Sequence, residues 1–320
     1  MRLTDNCQLL MTAEAMRKDP ERWLQVRRDS IGGSEAAAIL GMNPWKSPYQ
    51  LWLEKTGAAE PEDISDKDVV HFGTLLEPIV AQEFCLREGK KVKQCGLYRS
   101  KQHPFMTASF DRLLVGEQAG LECKTTSAYK GKDWEEGKIP PSYYVQCQHY
   151  MMVSGLPKWY IACLIGGNKF VTWEIDRDDD DIAALIEAET KFWERVQDRV
   201  PPDVDGSDSC TKALQEKFTG GQIEPVTLPK ESIELLARFD ELKALEADVK
   251  AQKQEIQNRL CALLGDNEIG LVVEGENVRK VTWKTVAGRV TIDTKALKAD
   301  EPEIYKMYSK QGAATRRFSA

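Results

Sequence analysis

Hydrophobic and polar positions along this chain repeat with a helical period in some stretches and a strand period in others, and the changes of period mark its elements. SPYQLWLEKTG predicts a helix with Ser47 as N-cap, Pro48 at the first helical position, Gln50 three residues in and Gly57 as the stop. VVHFGTLLEPIVAQEFCLREG predicts a longer helix ending near Gly89, kinked or restarted at Pro78. Strand-like runs follow over 92–99, 107–115 and 121–126, the last two joined by the turn-prone GEQAG. IPPSYYVQCQHYMMVSG predicts a helix between prolines and Gly155. KWYIACLI and KFVTWEI predict hairpin strands about Gly166-Gly167-Asn168. DDDDIAALIEAETKFWERVQDRV then predicts a helix whose acidic start suits the helix dipole.

Composition changes at PPDVDGSDS (201–209), read as a linker. Beyond it, apolar residues at 235, 239, 242, 245, 249, 256, 260 and 263 step by threes and fours, with one two-turn step from 249 to 256, along a long amphipathic helix. EIGLVVEGENVRKVTWKTV predicts a β-hairpin, and the remainder a short helix with a basic end at Arg316 and Arg317. The expected architecture is α/β, with a main domain over 1–204 and an α+β appendage over 205–320. An apolar row this long needs a cover, and packing within the protein, with the hairpin completing a small lobe, is the expected one.

Composition narrows the function. The 51 Asp and Glu outnumber 44 Lys and Arg, for a net charge of −7, which argues against a histone-like, purely electrostatic DNA coat. The eight cysteines lie at 7, 85, 95, 123, 147, 163, 210 and 261 with no CxxC pair, unlike a zinc ribbon or disulfide scaffold. Free thiols in a reducing cytoplasm are expected. The apolar runs fall short of the ~20 residues that span a bilayer, and the N-terminus carries no export signal, so no membrane partner is expected.

The chemistry centres on Asp111 and on Glu122-Cys123-Lys124. Strand side chains alternate, so Glu122 and Lys124 share one face and Leu121 and Cys123 the other. A hairpin closing through 116–119, with Val115 opposite Gly120, sets Asp111 opposite Lys124 and beside Glu122; a one-residue slip would turn it away. Two carboxylates of this kind hold Mg²⁺, which takes oxygen ligands, polarises a phosphoryl oxygen and acidifies a bound water. Lys124 then orients that water and offsets charge on the phosphate, and the Cys123 carbonyl is a further candidate ligand. By itself the spacing equally fits a solvated, charged hairpin face. Glu77, before Pro78, is a candidate third carboxylate or a plain surface residue. Gln146 and Tyr150, one turn apart, face the same way. His71, His103 and His149 lack metal-ligand spacing and are read as incidental. Upstream, Trp23, Arg27, Arg28 and Ile31-Gly32-Gly33-Ser34-Glu35 open a short helix, with Ser34 as either N-cap or phosphate ligand.

Taken in order, W-x3-R-x6-SE, Gly73 with Glu77, S-x-D, E-x-K and Q-x3-Y resemble the phage lambda exonuclease and YqaJ-type viral recombinase family, of the PD-(D/E)xK nuclease fold, over about residues 20–200. The resemblance implies a Mg²⁺-dependent 5′→3′ exonuclease on double-stranded DNA (with Mn²⁺ as a substitute metal), a homotrimeric ring working beside a single-strand annealing protein. It implies Asp111, Glu122 and the Cys123 carbonyl as metal ligands with Glu77 nearby, Lys124 and Gln146 positioning the attacking water, and Arg27, Ser34 and Ser109 holding the 5′-phosphate. Two departures stand out: Phe110 replaces the family's usual proline, and the segment after about 205 has no counterpart in lambda exonuclease. An endonuclease of the same fold and a non-catalytic DNA-end module are the alternatives. An iron–sulfur nuclease is disfavoured because Cys210 and Cys261 are too far apart.

Overall fold

A computed structural model describes residues 3–64, 66–135, 137–312 and 316–320. The chain divides into two units, one ending at Thr219 and one running from Gly220 to Ala320. In chain order the first holds α1 (Leu3–Asn6), β1 (Cys7–Met11), α2 (Ala13–Lys18), α3 (Pro20–Arg28), β2 (Ile31–Gly32), α4 (Gly33–Ile39), α5 (Pro48–Lys55) and α6 (Asp68–Glu88). Then come β3 (Val92–Gln94), β4 (Leu97–Ser100), β5 (Met106–Ser109), β6 (Arg112–Leu114), β7 (Ala119–Thr126) and a 3-10 segment (Ala128–Trp134). It closes with α7 (Pro141–Ser154), β8 (Lys158–Ile165), β9 (Lys169–Asp176), α8 (Asp179–Gln197) and α9 (Asp208–Lys217).

Five strands form the main sheet in the order β3-β6-β7-β8-β9, with β7 and β8 parallel and the other pairs antiparallel. The period-two rule sorts β8 cleanly. Trp159, Ile161, Cys163 and Ile165 pack with Cys147 and Met151 of α7, whereas Tyr160 and Ala162 pack with Val80, Ala81 and Phe84 of α6. Leu121 and Cys123 of β7 join the α6 side, which turns Glu122 and Lys124 toward α7. Gly120 keeps this layer thin, since a Cβ there would lie 2.2 Å from the Trp159 ring.

The runs 92–99 and 107–115 are not single strands. Each breaks and changes sheet, because β4 and β5 belong to a second, four-stranded sheet of order β1-β4-β5-β2. One break falls at Cys95-Gly96, where a Cβ on Gly96 would sit 1.9 Å from the Met11 carbonyl oxygen. The other falls at Phe110-Asp111. The β6–β7 register pairs Leu113 with Gly120, two residues away from the expected Val115 pairing. A two-residue shift leaves every side chain on its face, so Asp111 lies level with Glu122 rather than Lys124. α6 runs unbroken through Pro78. It is also the one described helix long and apolar enough, by length and composition, to cross a membrane, which the run-length reading did not anticipate.

The second unit contains α10 (Ser232–Leu264), β10 (Ile269–Glu274), β11 (Asn277–Thr282), α11 (Thr294–Asp300) and α12 (Pro302–Tyr308). β10 and β11 form the expected hairpin, turning at Gly275 with φ +60°. Two expectations are corrected here. The division lies at 219/220, not 204/205, because Cys210 and Ala213 of α9 are buried among Tyr49, Leu51 and Trp52 of α5. Nor does the hairpin cover α10: Leu235, Leu242, Leu245, Val249 and Ile256 are exposed, and Leu264 is the only buried apolar side chain described in this unit.

Candidate active site

The break between β5 and β6 builds the site. Phe110 turns inward, stacked on Tyr98 and edge-on to Tyr150, so an aromatic wedge holds the chain where the family's proline would otherwise stiffen it. Asp111, released from the ladder, accepts a hydrogen bond through Oδ2 from the Cys123 N–H at 2.8 Å. This bond spans the two strands and locks Asp111 beside Glu122. On the same face Lys124 Nζ lies 2.6 Å from Glu122 Oε1 and donates to Gln146 Oε1 at 3.1 Å. Gln146 Nε2 donates to Glu122 Oε1 at 2.9 Å and to the Tyr150 hydroxyl at 2.7 Å. Gln146 thereby bridges the ammonium and the carboxylate, and α7 is tied to β7 through both groups. The Lys124 ammonium also sits 4.6 Å from the centre of the Tyr143 ring.

Charge at this cluster is out of balance. Burial and then the neighbouring Glu122 charge push the Asp111 carboxyl well above the ordinary carboxylate range, with Glu77 adding to the effect and Lys124 opposing it. Burial disfavours charge on Lys124, but Glu122 and Asp111 overcome it and hold the ammonium above its ordinary value. Glu122 Oε2 is buried with no hydrogen-bond partner, a costly state for a carboxylate oxygen. Two carboxylates with one ammonium and an orphaned oxygen fit a hard divalent cation. Asp111, Glu122 and the Cys123 carbonyl are the oxygen donors present. The Cys123 thiol is excluded, being packed in the α6 layer, where burial keeps it protonated.

Glu77 does not complete a third carboxylate at the cluster. Its Oε1 is held 2.6 Å from Arg112 Nη1, which also donates to the Asp111 carbonyl at 2.7 Å. No group of three His, Cys, Asp or Glu side chains converges among the described residues. Glu77 therefore steers Arg112, and Arg112 steers the backbone at Asp111.

The upstream constellation also assembles. Arg27 lies over the Trp23 ring at 5.0 Å and donates to Ser34 Oγ at 3.3 Å. Ser34 is not the N-cap: α4 begins at Gly33, and Glu35 Oε2 accepts from the Gly32 N–H at 2.9 Å. That leaves the Ser34 hydroxyl out of capping. β2 pairs with β5 in parallel, Gly32 level with Thr107, so Ser34 and Ser109, each two residues on, lie at the same end of these strands. Gly33 allows α4 to close on α7, since a Cβ would fall 2.5 Å from the Tyr150 ring.

Several contributors had no signature in the sequence. Lys55 Nζ is buried between Arg27 O, Ser30 O and Glu35 Oε2, at 2.5, 2.6 and 2.7 Å. Burial opposes ionisation of Glu35, but Lys55, Arg27 and the Gly32 N–H outweigh it and hold the carboxyl below its ordinary value. His149, read as incidental, is fully buried, with Nδ1 2.8 Å from Glu189 and Nε2 2.8 Å from the Thr107 carbonyl. It ties α7 to α8 and to β5.

A central mixed sheet flanked by helices, with Asp111 at the break before β6 set beside Glu122 and Lys124 of β7, defines an α/β protein with two carboxylates and an ammonium gathered on one face. Residues 22–157 match the YqaJ-like viral recombinase domain. The chain is 40% identical over 315 residues to the uncharacterized protein YqaJ of Bacillus subtilis (strain 168), covering 96% of this chain and 97% of that one. It belongs to the YqaJ-like viral recombinase family. An uncharacterized protein of Acanthamoeba polyphaga mimivirus is 24% identical over 168 residues, covering 48% of this chain and 30% of its own length. Among solved structures, an alkaline exonuclease from Laribacter hongkongensis superposes with a TM-score of 0.48 at 19% identity, covering 56% of this chain and 94% of that one.

Proposed function

We propose that this protein is a Mg²⁺-dependent 5′→3′ exonuclease that digests one strand of linear double-stranded DNA. The observation that carries the reading is the pairing of Asp111 with Glu122, one Glu122 oxygen left without a partner, beside a Lys124 ammonium held by Gln146. Asp111, Glu122 and the Cys123 carbonyl would hold the cation, with Mn²⁺ as a substitute. Bound there, Mg²⁺ supplies a polarised phosphoryl oxygen and an acidified water. Lys124 keeps its proton and offers a fixed positive charge against the phosphate as charge builds on it. Gln146, anchored to Tyr150, orients the attacking water through the amide that also fixes Lys124. Arg112, steered by Glu77, keeps Asp111 in line.

Direction and starting point rest on the Arg27–Ser34 pair. A terminal phosphate carries more charge than an internal one, and an arginine with a serine hydroxyl and the nearby Ser109 suits it. The product would be a 3′ single strand, the substrate of an annealing partner in recombination. A homotrimer encircling the duplex is consistent with the exposed apolar row Val69, Phe72, Leu75 and Ile79 on α6, which a neighbouring subunit could cover. We assign its action to the cytoplasm, where eight free thiols persist.

Linear duplex labelled separately at its 5′ and 3′ ends, with and without Mg²⁺, tests the reading. Mononucleotides released from the 5′ label only when the metal is present are expected. A ladder of internal cuts would establish the endonuclease alternative, and digestion unaffected by chelation would remove the metal from the account.

A further inference from the structure

Trp45 is 72% exposed and belongs to none of the buried hydrophobic clusters of the fold. Its neighbours along the chain, Tyr49, Leu51, Trp52 and Leu53, are buried in the α5 core. The loop that carries it is nonetheless firmly built. The Trp45 N–H donates to Asn43 Oδ1 at 2.8 Å. Ser47 caps α5 through Gln50 N at 3.1 Å and is itself tied to Ser209 by its own N–H at 3.0 Å. An indole carried on this loop and facing solvent gives up the transfer free energy of a large aromatic surface, so its use is sought outside the core.

The ring forms part of the wall of a pocket of about 250 Å³ whose lining also includes Ser34, Lys124, Gln146 and Lys130. The Lys130 ammonium lies 4.2 Å from the Trp45 ring centre. One cavity thus joins Ser34, one of the residues assigned to the terminal phosphate, with Lys124 and Gln146 of the cleavage site. Between a 5′-terminal phosphate and the first phosphodiester of a DNA strand lies a single nucleoside. On the nuclease reading that nucleoside falls in this pocket, and its base needs a surface once it leaves the duplex stack.

We propose that Trp45 is the stacking platform for the base of the 5′-terminal nucleotide, with Lys130 supplying positive charge beside it. The proposal rests on the nuclease reading of the site and adds a base-binding subsite to it. Every base presents a π-face, so stacking holds the strand end without selecting its sequence, as an enzyme that digests whatever strand it meets requires.

The test uses 5′-phosphorylated duplexes whose terminal unit is either a normal nucleotide or an abasic tetrahydrofuran. End binding is measured in EDTA by fluorescence anisotropy, and single-turnover digestion with Mg²⁺ is measured in parallel. Trp45→Ala should weaken binding to normal ends by roughly five- to 150-fold, and Trp45→Phe by much less. Wild type should lose a similar factor on the abasic end, where Trp45→Ala should cost nothing further. Equal binding of wild type and Trp45→Ala to normal ends would overturn the proposal. So would an equal loss on normal and abasic ends, because Trp45 would then be acting on the loop and not on a base. Wild type that neither binds nor digests normal ends would overturn the nuclease reading itself, whereas normal digestion with an indifferent Trp45→Ala protein would remove the stacking alone.

Discussion

In the first unit the central strand β8 buries apolar side chains against α6 on one face and α7 on the other, whereas in the second unit a 33-residue helix carries an apolar row that faces water. Both regions were equally plain as patterns of hydrophobic spacing. The difference is that a strand in the middle of a sheet finds its cover in its own neighbours, and burying one side chain fixes the facing of the next. A helix row says that a cover is needed without saying what it is. The same contrast separates their polar groups. Those of the first unit are knitted into the core, as Glu122, Gln146, His149 and Glu189 are, and the charged side chains of α10 pair with one another along its own surface, as Arg238–Glu241 and Arg259–Glu255 do.

If the first unit holds the chemistry, Asp111→Ala or Glu122→Ala should give the largest effect of any single change. Cleavage should fall by at least on the order of a hundred- to thousandfold with circular dichroism unchanged, and near-normal cleavage by either folded variant would remove the cluster from the account. Next in size is His149→Ala, which leaves Glu189 buried without its partner and should cost about 3–5 kcal/mol in denaturant unfolding. Burial disfavours the His149 cation, but the charge of Glu189 and the hydrogen bonds to it and to Thr107 raise its folded pKa above the ordinary value of 6.5. This stabilisation is fully present below the unfolded pKa and drains away as pH rises through the raised folded value. Stability should therefore decline above neutral pH, and His149→Gln should flatten that slope; an unchanged slope would mean the pair is not ionic.

The units themselves are compared by matched truncations. Leu121→Ala, in the sheet, should cost about 2–5 kcal/mol, whereas Leu245→Ala, on α10, should stay within about 0.5 kcal/mol in the isolated chain. A large cost at Leu245 would show that the row is covered after all. Smallest of all should be the effect of ending the chain at Thr219 on the unfolding midpoint of the first unit. A fragment ending at 204 should unfold earlier, because it lacks the α9 residues Cys210 and Ala213 that fill the α5 cluster. Equal midpoints for the two fragments would put the boundary back at the proline-rich stretch.

Much of this could be read from the chain. The helices ending at Gly89 and Gly155 and the β8–β9 and β10–β11 hairpins follow from periodicity and turn residues. Asp111 reached the correct face despite a register two residues away, since the strand period forgives an even error. What stayed hidden is long-range. Nothing near Cys95-Gly96 or Phe110-Asp111 announces that a strand is about to change sheets, because the cause is the approach of Met11 in one case and the Tyr98–Tyr150 ring cluster in the other. Glu77 read as a candidate third carboxylate, yet Arg112 claims it, and Lys55 and His149 gain their roles from partners 20 to 42 residues away.

The central claim is that Asp111 and Glu122 form a divalent-cation site, and the most direct measurement is calorimetric titration of the DNA-free protein with Mn²⁺. Wild type should bind the cation, and Glu122→Gln, which keeps the shape but removes the charge, should bind it at least about tenfold more weakly. Equal affinities in the two folded proteins would contradict the account.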